Sequence, residues 1–122
     1  MRGALRIRPR RFRLSNPLKG EGALLTSTAV VPTDAASRYA KQLLSHLGRK
    51  AGVEPVEGDP EAGLLRLSSG VGVVRPRADH LILEASAADD EALAAVEDVL
   101  GRHLERFGAR RELTVTWQRD DA

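Results

Sequence analysis

Between residues 53 and 85 the chain is broken at Gly58-Asp59-Pro60, Gly63, Ser69-Gly70 and Arg75-Pro76-Arg77, too often for any helix of ordinary length to fit. Short strands fit instead, and the spacing predicts them at about 55–57, 64–68, 72–75 and 80–85, joined by tight turns. In the last of these, Leu81, Leu83 and Ala85 share one face while His80, Ile82 and Glu84 share the other, which makes it a half-buried strand.

Helical period returns on both sides of this segment. Ala36, Tyr39, Ala40, Leu43, Leu44 and Leu47 form an apolar stripe, with Thr33 or Asp34 as the expected cap and Gly48 as the expected stop. A second stripe of Leu93, Val96, Leu100, Leu104 and Phe107 opens at Asp89-Asp90-Glu91, whose charges suit a helix N-terminus, and closes at Gly108. A β-branched run over 23–31, ended by Pro32, predicts a first strand. From 112 to 118, Leu113, Val115 and Trp117 alternate with Thr114, Thr116 and Gln118, which predicts a final strand.

The expected order is β-α-β-β-β-β-α-β, an α+β fold. Each helix has a single stripe to bury, so an antiparallel sheet with both helices packed on one face satisfies them together. Ferredoxin-like folds and folds like that of the TATA-binding protein both offer such an arrangement, and the last strand could pair beside the first.

The arginines are unevenly placed. Residues 1–20 carry seven basic groups and no acid, whereas the other 102 residues carry the remaining 12 basic and all 17 acidic groups, a net charge of −5. A disordered basic leader is therefore expected over 1–22, a single α+β domain with one core over 23–119, and a short tail over 120–122. The leader reads either as a solvated tail or as an arm for nucleic acid or an anionic surface. Within the domain no aromatic residue interleaves with the basic ones, so nucleic-acid binding is expected only through the leader.

With no cysteine there is no disulfide, thiolate metal site, iron–sulfur cluster or cysteine nucleophile. No apolar run reaches the length of a membrane span, and the N-terminus lacks a secretory apolar stretch, so a cytoplasmic location is expected. Arg10-Arg11 before Phe12 is only a faint echo of a twin-arginine signal, because polar residues follow it.

Few residues offer chemistry. No serine sits in a Gly-x-Ser-x-Gly elbow, and neither Gly20-Glu21-Gly22 nor Gly70-Val71-Gly72 has the spacing of a nucleotide loop. Arg75, Arg77, Arg110 and Arg111 read either as an anion patch or as ordinary loop charges. His80 sits beside a turn. His46 falls at the edge of the first stripe and His103 within the second, each in a late turn of its helix. Helices on one face would let these two rings approach. They read either as a two-histidine site for haem iron or another metal, or as a buried His103 bonded to a neighbouring carbonyl beside a surface His46.

The segments Leu25-Thr26-Ser27-Thr28-Ala29-Val30-Val31-Pro32-Thr33, Ser37-Arg38-Tyr39-Ala40-Lys41-Gln42-Leu43 with Ser45-His46 and Lys50, and His103-Leu104-Glu105-Arg106-Phe107 with Arg111-Glu112-Leu113 and Trp117 resemble a bacterial family. It is the domain of unknown function numbered 2218, and the resemblance spans roughly residues 24–119. It implies a small protein without established catalytic activity, whose relatives are sometimes joined to flavin-dependent siderophore-interacting reductases. Iron or haem handling, with such a reductase or a small ligand as partner, is what the resemblance suggests. His46, Lys50, His103, Arg106, Arg111 and Trp117 match its recurring positions and are the expected ligand-binding residues. Leu44 and Arg49 stand where members often have Cys and His, so two further donors are missing here.

Two function classes follow: a non-enzymatic accessory or binding domain, and a nucleic-acid or anionic-surface binder acting through the leader. A weak enzyme with His46 as general base ranks last, having a lone histidine behind it.

Overall fold

The computed structural model describes residues 24–120. The leader expected over 1–22 and the last two residues of the tail lie outside the described residues. Strand β1 (Leu25–Pro32) leads into helix α1 (Ala36–Ala51). A four-strand meander follows: β2 (Val53–Val56), β3 (Asp59–Arg66), β4 (Gly70–Pro76) and β5 (His80–Ala87). Helix α2 (Asp90–Phe107), a 3-10 turn at Ala109–Arg111 and the two-residue strand β6 (Gln118–Arg119) complete the fold. The sheet runs β2-β3-β4-β5-β1-β6 with every neighbour antiparallel. A ferredoxin-like unit has two strands between its helices, whereas four are found here.

The expected order is the observed one, and both stripes are buried. Register places Leu65, Gly72, Ala85 and Ser27 in one row across the sheet, and Gly63, Val74, Leu83 and Ala29 in the next. Against these rows α1 buries Ala36, Tyr39, Ala40 and Leu43, while α2 buries Leu93, Val96, Leu100 and Leu104. Glycine seats each helix: a Cβ on Gly72 would come 2.9 Å from Leu100, and one on Gly63 would come 2.8 Å from Leu44. Small residues in the sheet thus admit large residues from the helices.

Local departures from expectation have physical causes. Helix α1 passes through Gly48 and ends at Gly52, whose φ of 78° suits glycine and whose N–H reaches the Gly48 carbonyl. Gly48 serves a different need, because a Cβ there would lie 2.5 Å from the Val53 side chain at the start of β2. The α1 N-cap is Ala35 without a side-chain cap; Thr33 Oγ1 instead accepts from the Ala35 N–H at 3.1 Å. At α2 the expected cap forms, with Asp89 accepting from the Ala92 N–H at 2.8 Å.

The largest departure is at the C-terminus. Only Gln118–Arg119 pairs with β1, beside Thr28 and Ser27, so the expected strand over 112–118 is reduced to its last residue and the one beyond it. Residues 113–117 are drawn onto α2. Glu105 accepts from the Val115 N–H at 2.9 Å, taking a donor that a strand neighbour would have used. Trp117 lies over Gly101, and Leu113, Val115 and Trp117 pack against the core edge. The alternation was real, but the apolar face meets a helix flank.

Candidate ligand-binding site

Both histidines sit where α1 and α2 come together above the sheet. The His46 and His103 rings have centroids 5.1 Å apart and are tilted by 43°. Phe107 closes the group, 5.6 Å from His46 edge-on and 6.4 Å from His103. His103 is half-buried and His46 is exposed, so the pair opens to solvent on the α1 side.

One ring is held in a defined state. His103 Nδ1 lies 2.7 Å from the Val99 carbonyl oxygen, one turn earlier in α2. A carbonyl oxygen only accepts, so Nδ1 donates, and the neutral ring carries its lone pair on Nε2. A carbonyl-bonded His103 beside an exposed His46 is the second of the two readings of these histidines, and the two rings also lie close together.

The other expected residues divide into two groups. Lys50 lies four residues beyond His46, about 40° round α1 and one turn on, and Arg106 lies three beyond His103, about 60° round α2. Both are exposed, and neither is ion-paired among the described residues. Arg111 and Trp117 belong elsewhere. Arg111 reaches Asp34 at 3.2 Å, an exposed pair of small energetic weight. Trp117 is on the opposite flank of α2, lining a hollow of about 270 Å³ with Glu97, Gly101, Glu105 and Val115. The anion-patch reading also loses support, since Arg75 and Arg77 share Asp59 and Arg75 also holds Glu84.

The helix that carries His46 bears charge of one sign. Helix α1 carries Arg38, Lys41, Arg49 and Lys50 and no acid. The α2 acids Asp90, Glu91, Glu97, Asp98 and Glu105 each lie at least about 120° round the helix from His103. Asp90 and Glu97 pair there with Arg119, Asp98 with Arg102, and Glu105 with the Val115 N–H. Burial alone would raise the pKa of Glu97, but hydrogen bonds from Arg119 and Ser27 outweigh it and hold the carboxyl below the ordinary glutamate value. Among the described residues no cluster of three or more His, Asp or Glu side chains could enclose a metal ion.

Sequence reasoning missed Phe107 as a member of the pair's surroundings, although the spacing Val99, His103, Phe107 puts all three on one side of α2. It also missed that α1 carries four basic residues and no acid, which shows only when that helix is counted by itself.

The sequence matches the family described as "Uncharacterized protein conserved in bacteria (DUF2218)" over residues 28–118. The chain belongs to DUF2218. The DUF2218 chain is also similar to a solved structure, the NMR structure of PA4090 from Pseudomonas aeruginosa, at 30% identity and a TM-score of 0.61. That similarity covers 77% of this chain and 95% of the other, so the relative corresponds to the DUF2218 domain nearly end to end. No curated protein matches it.

Proposed function

We propose that this protein is a binding module, not a catalyst, and that it takes a small anionic iron-related ligand, a haem or a ferric chelate, at the His46–His103 pair. The observation that carries the reading is the pair itself: rings 5.1 Å apart, with His103 Nδ1 engaged by a carbonyl and Nε2 left as a lone pair. Lys50 and Arg106 add positive charge on the same side, which favours carboxylate-bearing ligands. The family resemblance, with its siderophore-interacting reductases, supplies the link to iron and the class of partner.

Haemin or a ferric siderophore titrated into the purified chain tests the proposal. An absorbance change at micromolar ligand, reduced by His46→Ala and by His103→Gln, is the expected outcome. No spectral change with either ligand would end this reading.

A second reading rests on charge separation: seven basic groups and no acid in residues 1–20 attached to a remainder of net charge −5. Such an arm binds nucleic acid or anionic lipid with strong salt dependence. The described domain adds no helix long and apolar enough to cross a membrane.

A further inference from the structure

The distance between the two imidazoles limits what can lie between them. An imidazole nitrogen bonds a first-row metal at about 2.0–2.1 Å, which places its ring centroid about 3.2 Å from the metal. Two rings on adjacent positions of one metal then have centroids about 4.5–5.2 Å apart, and on opposite positions about 6.4 Å apart. The observed 5.1 Å falls in the adjacent range. A haem gripped from both faces needs the wider spacing.

Charge restricts the ligand further. A naked dication would enter surroundings that include Arg49 and Lys50 on α1 and Arg106 on α2, each within about 60° of its own helix's histidine, without a carboxylate from either helix on that side. A metal already wrapped by an anionic oxygen chelator reverses the sign of that interaction. The two histidines are also too few to fill a coordination shell. The chelator supplies the missing donors, and a fully saturated chelate leaves no position for either ring.

We infer that His46 and His103 together occupy two adjacent positions on a transition-metal ion delivered as an anionic, incompletely saturated chelate. The inference rests on the binding reading above and narrows it to this ligand class. Binding is a ligand exchange in which two waters leave the metal as the ring nitrogens arrive, and no oxidation or reduction is involved. His103 is oriented through Nδ1 and Val99, the arrangement by which a carbonyl fixes the tautomer of a metal-binding histidine. Phe107 walls one side, and Lys50 and Arg106 attract the chelator's carboxylates.

Calorimetry on the full, untagged chain with two nickel(II) probes tests this. Nickel(II) nitrilotriacetate is anionic and leaves two adjacent positions, whereas nickel(II) held by a neutral tripodal tetramine leaves the same two positions but is dipositive. The anionic probe is expected to bind one per chain, at least about threefold tighter than the cationic one at low ionic strength, with the gap closing as salt rises. His46→Ala and His103→Gln should each weaken it at least about tenfold, since even a ligand's supporting partners are worth that much. His80→Gln should leave it unchanged, and circular dichroism checks that each variant is folded. Binding of the anionic probe that survives loss of either ring overturns the inference. So does haemin binding that needs both rings while neither nickel probe binds, although the broader reading survives that result. If neither haemin, ferric chelate nor nickel chelate binds, both fall.

Discussion

Ser27 is a buried polar residue on the inner face of β1, donating to Glu97 at 2.7 Å, while Arg119 holds the same carboxylate at 3.1 Å. This contact joins β1, α2 and β6. Because Glu97 titrates below its ordinary value in the folded chain, its contribution to stability is complete above the unfolded value, near pH 4.3, and is lost as pH falls through the folded one. Stability should therefore decline below about pH 4 more steeply in the wild type than in Glu97→Gln. Denaturant midpoints followed through the single tryptophan, Trp117, measure this, and parallel slopes would contradict it. Glu54 and Asp59, held low mainly by Arg66 and Arg77, titrate the same way in both proteins and cancel from the comparison. At the core, Leu100 is fully buried and fills the space above Gly72, so Leu100→Ala should cost about 2–5 kcal/mol in the same assay.

Elements with one apolar period and one neighbour were legible in the sequence. Both helices and β5 show this, because their buried faces are set by the sheet or helix directly against them. Residues 113–117 were not, since alternation reports that one face is buried without saying what buries it. The deciding contact is Glu105 to the Val115 N–H, ten residues apart, and nothing in local period reports a carboxylate taking a strand's donor. Glu105→Ala should leave that N–H without its partner and cost about 1–2 kcal/mol. Amide hydrogen exchange at Val115 should accelerate more than at Leu104; unchanged protection would show that the segment is held by packing alone. Gly48 and Gly52 carry the same lesson, for both are glycines near a helix end and only φ and the position of Val53 separate their roles.

At the scale of the whole molecule, charge and shape are divided among parts. The approach of His46 to His103 was an expectation conditional on both helices lying on one face, and the two helices do pack against each other over one shared core. Lys50 and Arg106 fall within about 60° of the histidine on their own helix, whereas Trp117 lines a hollow on the other flank of α2; a list of matching positions does not say which flank each one occupies. The arginine-rich segment makes a separate claim. Removing residues 1–22 should abolish salt-sensitive binding to nucleic acid or anionic vesicles while leaving ligand binding at the histidines intact, as measured by titration at two salt concentrations. Retained salt-sensitive binding would refute the arm reading without touching the other. The account as a whole depends on two rings acting as one open site. Heteronuclear NMR of the imidazoles in the full chain, before and after addition of haemin or an iron chelate, examines that most directly. The account requires His103 to carry its proton on Nδ1, and the Nε2 signals of His46 and His103 to move or broaden together while His80 stays still. A His103 protonated on Nε2, or rings that ignore every such ligand, would contradict it.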